Sequence, residues 1–340
     1  MFFLYCLIIV LLNEIIVRKK LYLDKTEFSR HKKFINNSIK LPVTGGFYIL
    51  LFIILFFESF KVFEYLLILL IFLTGIFSDR FKNFSPLLRL VSHIIIIIFF
   101  IFYSNTLIND VRITYLNQYL ELSYISLSFT CFCFLILIHG TNFIDGVNLN
   151  TIGYYLIIYF SILFVSLSQN LEINYEFLSN IILLLTILLF LNFINKIQLG
   201  DAGCYTISFF TAFFLISFVN NNISVSPYFI ILLLWYPCFE NLFSILRKKY
   251  QKKKISYADN YHLHQIIYLF LKKKNLKNSN NICGFVICLY NLLTILLGSI
   301  FFNETKFLIS MIIFNIILYI FVYNFLIKIL KFKKSPKKIS

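Results

Sequence analysis

Charge is scarce in this sequence: only 14% of its 340 residues are charged, and acidic residues number 15 against 31 lysines and arginines. So little charge, with 60% hydrophobic residues and a mean hydropathy of +0.84, excludes a soluble fold of this length; the bilayer must be the solvent for most of the chain. No Pro/Ser-rich linker, internal repeat or soluble segment interrupts it, which predicts one membrane domain over 1–340. There is no CxxC pair. Cys131-Phe-Cys133 is spaced too closely for a metal or redox pair, and the seven cysteines read as small apolar membrane residues. The first residues lack a basic n-region and a small-residue cleavage site. Instead Arg18-Lys19-Lys20 follows the first apolar run, which predicts an uncleaved first span with its N-terminus outside. Mid-span ionisable groups are nearly missing, Glu14 being the exception, and this argues against a transporter, which needs charged or broken helices at the midplane.

What is present is apolar and rich in Phe and Ile. Eleven runs stand out, at about 2–17, 46–60, 62–77, 87–108, 121–138, 151–168, 178–195, 203–219, 226–246, 281–300 and 306–328. A spanning helix needs about 20 such residues. The expected fold class is therefore an all-α polytopic membrane protein of about 11 transmembrane helices, with a tight hairpin at Glu58–Lys61. Taken alternately, one set of connections (about 18–45, 78–89, 139–150, 196–203 and 247–280, with a basic tail at 328–340) carries 28 of the 31 basic residues. The other side keeps Lys61, Arg112 and Lys306. The positive-inside rule makes the basic set cytoplasmic, with the C-terminus on that side and the protein a multi-pass protein of the cell's inner membrane. The lysine runs 252–254 and 272–274 read as topology determinants and contacts for anionic lipid.

Five of the six aspartates (Asp24, Asp79, Asp145, Asp201, Asp259) fall in the basic set; Asp110 does not. Carboxylates at helix ends need water or a cationic partner, so several on one face suggest a shared cation or phosphate site, with helix capping as the plainer reading. Five segments break the apolar pattern on that side: Pro42-Val-Thr-Gly45-Gly46, Ser78-Asp79…Ser85-Pro86-Leu-Leu-Arg89, Asn142-Phe-Ile-Asp145-Gly146-Val-Asn148, Gly200-Asp201-Ala-Gly203 and Asp259-Asn-Tyr-His262-Leu-His264. Glycine lets main-chain N–H groups approach an anion, and a helix N-terminus adds partial positive charge. Each segment alone is also an ordinary turn or cap. His262 and His264 have no third ligand at zinc spacing, and His31 and His93 read as a loop residue and a helix polar residue.

In this order and placement the segments resemble the polyprenyl-phosphate N-acetylhexosamine-1-phosphate transferases of glycosyltransferase family 4, over nearly the whole chain. The stretch from Glu240 through Arg247 to His264 looks closer to the branch priming O-antigen, common antigen or teichoic acid than to the peptidoglycan branch. The resemblance implies transfer of a sugar-1-phosphate from a UDP-N-acetylhexosamine to undecaprenyl phosphate, initiating a cell-envelope polysaccharide such as lipopolysaccharide O-antigen. It implies Mg²⁺ or Mn²⁺ held by Asp201 and Asn142, and Asp79, Asp145 and Asp201 as the catalytic carboxylates. Asp79 would orient or deprotonate the lipid phosphate and Asp145 would contact the nucleotide. Arg89 would be a phosphate counter-charge, and His262 and His264 would meet the sugar or diphosphate. Gly45 and Gly46 would allow close approach where the lipid arrives. A homodimer is suggested by the resemblance alone.

The chain departs from the pattern in places. Ser78 replaces the first of two usual aspartates and His139 a usual asparagine. Leu149-Asn150 stand for glycine and leucine, and Gln265 ends the histidine motif. The loss at Ser78 sets a second expectation beside the first: a non-catalytic relative that binds lipid phosphate or scaffolds glycan assembly. A phosphate monoester with a second pKa of about 6 is already mostly dianionic at neutral pH, so a dedicated base is dispensable and activity is the expectation retained.

Overall fold

The computed structural model describes residues 1–23, 41–81, 84–254 and 259–330; Asp24, His31 and the tail beyond Leu330 lie outside the described residues. The described residues form helices and no strand. In chain order these are α1 (Phe2–Arg18), α2 (Gly45–Phe56), α3 (Val62–Arg80), α4 (Pro86–Ser104), α5 (Thr114–Leu120), α6 (Ser123–Ile144) and α7 (Asn150–Gln169). They continue with α8 (Tyr175–Phe193), α9 (Gly200–Asn221), α10 (Pro227–Tyr250), α11 (Leu263–Lys273), α12 (Ser279–Ile300) and α13 (Thr305–Leu330). Among the described residues nine of them (α3, α4, α6 to α10, α12, α13) are long and apolar enough to cross a membrane. Each of the eleven apolar runs coincides with a helix, and α5 and α11 are short additions.

On the side of the polar motifs several helices outrun their apolar stretches, whereas α2 and α4 stop short of theirs, at Phe56 and Ser104. α3, α6 and α10 continue past their apolar stretches to Arg80, Ile144 and Tyr250, and α9 begins at Gly200. Hydropathy marks where lipid ends, whereas the hydrogen-bonded helix continues into the interface. Ser78, Asp79, His139, Asn142 and Asp201 therefore stand on helices rather than in loops.

α9 is the axis. Its central apolar window is 83% buried within the protein, against 17% for the peripheral α13. Helices in lipid gain little from apolar contact alone, so close packing has to hold them together. Small residues permit this at the start of α9. A Cβ on Gly46 of α2 would lie 2.6 Å from the main-chain nitrogen of Gly203, and one on Gly75 of α3 would overlap the backbone of Ala202. Below them Phe100, Phe134, Phe209 and Phe210 fill the core with edge-to-face contacts.

α10 contains Pro237, which cannot bond the carbonyl four residues back. In an apolar interior that carbonyl needs another donor. The buried Tyr154 hydroxyl of α7 supplies it, donating to Leu233 O at 2.7 Å.

At the end of the bundle away from the polar motifs, two of the three basic residues that break the charge pattern have structural partners. The main-chain N–H of Lys61 donates to Glu64 Oε2 at 2.6 Å, so Lys61 starts α3. Arg112 donates to Asn303 O (3.1 Å), Asn303 Oδ1 (3.0 Å), Thr305 Oγ1 (3.3 Å), Ile223 O (2.9 Å) and Ser224 O (3.1 Å), clasping three connections. Arg112→Ala is expected to remove about 1–3 kcal/mol. This should read as a clear fall in melting temperature in detergent, which Lys306→Ala should not reproduce.

Candidate active site

The polar motifs meet at one end of the bundle, on α3, α4, α6, α9, α10 and the start of α11. The centre is the N-terminus of α9. Its N-cap residue, Leu199, offers no side-chain acceptor, so the first main-chain N–H groups need one from elsewhere. Asp79, at the end of α3, supplies it: Asp201 N–H donates to Oδ1 at 3.2 Å and Ala202 N–H to Oδ2 at 3.3 Å. Gly200, with φ +72, makes the turn, and a Cβ there would press on Val43 and on Asp79 Oδ2. Asp79 also borders a shallow cleft lined by Leu23, Val43, Phe47, Ile76 and Arg80, with room for about one water molecule.

One residue into α9, Asp201 faces the α3–α4 connection. Ser78 Oγ donates to Asp201 Oδ2 at 2.5 Å, Arg89 Nη1 donates to Ser78 Oγ at 2.9 Å, and Arg89 lies 3.6 Å from Asp201 Oδ2. One turn further, the buried Tyr205 hydroxyl accepts from Arg89 Nη1 at 3.2 Å and from Asn142 Nδ2 at 3.3 Å. Asp79, Ser78, Arg89, Asn142, Asp201 and Tyr205 thus form one connected set, drawn from four helices.

Asn142 stands on the last turn of α6, and its neighbour Phe143 faces the other way. The Phe143 ring packs on His262 with centroids 4.9 Å apart, and Lys248 Nζ lies 5.7 Å from the same ring. Asp145 ends α6 as its half-buried C-cap. His264 lies directly over Gly146, close enough that a Cβ there would overlap its ring, and the His262 and His264 rings stack at 5.9 Å. The α6 terminus thereby joins the carboxylate cluster to the histidine segment. Gly45 and Gly46 do not face this junction; they seat α2 against residues 198–203.

Several residues without an assigned role in the sequence reading belong here. Glu240 on α10 is fully buried. Its Oε1 bonds His262 Nδ1 at 2.9 Å, and its Oε2 accepts from the Tyr319 hydroxyl at 2.6 Å. The two contacts hold Glu240 between His262 and Tyr319 and fix the orientation of the His262 ring. A glutamate inside an apolar run was the available signal, since such groups are costly unless partnered. Arg247 pairs with Asp259 through two bonds, at 2.7 and 3.2 Å. Gln265, where the motif departs from histidine, accepts the His262 main-chain N–H at 3.2 Å and caps α11.

The donor set near Asp201 consists of oxygens: its carboxylate and the Asn142 amide. Among the described residues no group of three or more His, Cys, Asp or Glu side chains is placed to hold a metal ion. Two protein oxygens are the most this end of the bundle offers a hard cation, whose remaining positions would fall to phosphate and water.

Burial alone would raise the Asp259 carboxyl, but the Arg247 hydrogen bonds and charge, with His262 and Lys248 nearby, outweigh it and hold it below the usual value. A depressed carboxyl stabilises the fold fully above its unfolded pKa of about 4 and loses that contribution as pH falls through the lower folded value. Asp259→Asn is therefore expected to melt below wild type at pH 7, the gap closing only under acid below pH 4. Leu149, at φ +68, occupies left-handed backbone that costs a side-chain-bearing residue about 1–2 kcal/mol. Leu149→Gly is expected to raise the melting temperature.

No curated protein matches the chain. Residues 62–219, from α3 through the start and body of α9, match the model of glycosyl transferase family 4. This stretch, a little under half of the chain, holds Asp79, Arg89, Asn142, Asp145 and Asp201, and its match points to a membrane glycosyl transferase of the sugar-phosphate transferase kind.

Proposed function

We propose that the protein transfers N-acetylhexosamine-1-phosphate from a UDP-N-acetylhexosamine to undecaprenyl phosphate at the cytoplasmic face of the inner membrane, the first step of a cell-envelope polysaccharide. The observation that carries this reading is the convergence of Asp79, Arg89, Asn142 and Asp201 at one end of the bundle. In the reaction a phosphate oxygen of the lipid attacks the β-phosphorus of the donor. The bond from that phosphorus to the oxygen bridging it to the α-phosphorus breaks, and UMP leaves with the electron pair.

Two anions have to meet, so counter-charge and positioning do most of the work. Asp201 and Asn142 would hold Mg²⁺, which when bound neutralises the diphosphate and polarises its oxygens. Arg89 presents its guanidinium beside Asp201 and meets an approaching phosphate. Asp79, engaged with the α9 amides, keeps Asp201 in place. Asp145 would contact the nucleotide, and His262, held by Glu240, and His264 would meet the sugar-diphosphate, with Lys248 near them. Leu23, Val43, Phe47 and Ile76 beside Asp79 offer apolar surface with Arg80 at hand, which suits an amphiphilic acceptor.

Ser78 in place of a carboxylate suits an active site here. An aspartate would set a second negative charge against Asp201, where the Ser78 hydroxyl now links Asp201 to Arg89. Purified protein in detergent, given UDP-N-acetylhexosamine and undecaprenyl phosphate, is expected to release UMP in a Mg²⁺-dependent way. Asp201→Asn should cut the rate by roughly a hundredfold or more, and Ser78→Asp should not raise it. An inert wild type that gains activity with Ser78→Asp would make this a degenerate relative and end the proposal.

A further inference from the structure

We infer that Tyr205 is a positioning residue that aims the Asn142 amide, so that its carbonyl oxygen rather than its NH₂ is presented to a divalent cation; the inference rests on the metal–diphosphate reading above. Tyr205 stands four residues after Asp201 on α9, on the same helical face. It is fully buried, and its ring is boxed by His93 and His139, with centroids at 4.8 and 6.4 Å in edge-on geometry. Its hydroxyl is where α4, α6 and α9 meet.

The chemistry of that hydroxyl sets the orientation. A tyrosine oxygen can accept two hydrogen bonds, the guanidinium of Arg89 can only donate, and the hydroxyl's own proton has the Ser78 oxygen as partner, so it is not left for Asn142 Oδ1. Asn142 Nδ2 takes the other position, 3.3 Å away. Donation through NH₂ turns Oδ1 to the opposite side of the amide plane. Only that oxygen can bind a cation. Without the hydroxyl nothing at this position prefers the NH₂, and a turn of the amide places a donor where an acceptor is needed. Tyr205→Phe keeps the ring between the two histidines and removes both accepted bonds, so it isolates this effect.

The experiment measures Mn²⁺ bound to purified protein in the presence of UDP, by electron paramagnetic resonance, together with melting temperature. Tyr205→Phe is expected to weaken Mn²⁺ about tenfold, one lost hydrogen bond in magnitude, while the melting temperature falls little. Asn142→Asp provides a second background, because its two carboxylate oxygens are alike and orientation no longer matters. Adding Tyr205→Phe to Asn142→Asp should leave Mn²⁺ affinity as in Asn142→Asp alone. Equal loss in both backgrounds, with a lower melting temperature, would make Tyr205 merely structural and overturn the inference. So would unaltered Mn²⁺ affinity in Tyr205→Phe. If wild type binds no Mn²⁺ with UDP and releases no UMP, the transferase reading itself fails; a wild type that does both, beside an indifferent Tyr205→Phe, removes the inference alone.

Discussion

A helix that begins inside a protein leaves main-chain N–H groups that must find acceptors, and α9 finds them on a different helix. Asp79 accepts from both Asp201 and Ala202, so the end of α3 is locked to the start of α9. The geometry of the site follows from that lock. Asp201 is the first residue after the turn at Gly200, so its side chain must emerge beside Ser78 and Arg89, the residues next to the lock on α3 and α4. The same amides lend the region partial positive charge. Two carboxylates can then sit close together with a single arginine between them and the approaching anions. Small residues on α2 and α3 are a condition of this arrangement, because a bulkier side chain at Gly46 or Gly75 would push α9 away from its acceptor.

The helices were legible because lipid imposes its own polarity: each apolar run coincides with a helix, and nine of these among the described residues are long and apolar enough to cross a membrane. The grouping of the aspartates was legible from sidedness: Asp79, Asp145 and Asp201 come from separated segments yet lie at one end. Helix ends were not, since polarity changes at the interface whereas hydrogen bonding continues. Asn142 consequently sits on a helical turn whose next residue faces another wall. Glu240 was named as part of a motif, but its role was not legible: one carboxylate among Trp235, Tyr236, Cys238 and Phe239 barely lowers hydropathy. Its partners, His262 and Tyr319, are 22 and 79 residues away, a pairing that no local pattern encodes.

The departures from the usual motif are matched by local compensation. Ser78 replaces a charge with a hydroxyl that both accepts and donates, so Arg89 and Asp201 remain connected without a further negative charge. Gln265 replaces a ring with a side-chain amide that caps α11, leaving His262 and His264 as the stacked pair. Leu149 keeps a left-handed backbone without glycine's freedom. Its neighbours hold it there: Asn192 Oδ1 accepts the Leu149 N–H at 2.7 Å, and Asn150 Nδ2 donates to Ile144 O at 2.7 Å. A strained residue persists where the surrounding bonds over-determine it.

Those bonds bear on how the two halves of the site stay in register. Successive residues on a helix point about 100° apart, so Asn142 and Phe143 necessarily address different walls, one toward Tyr205 and Asp201, the other toward His262. A small rotation of the last turn of α6 would misplace both at once. The segment that follows is fastened accordingly: Asn148 Nδ2 donates to Asn195 and Asn281 at 2.8 Å each, and its N–H to Asn280 at 3.1 Å. These asparagines come from the turn after α8 and the start of α12. Neutral amides suit the task, because they tie three chain segments together beside a site crowded with charge without adding to it. The α6 terminus is thus held from both ends, and the carboxylate and histidine halves are kept together as one surface.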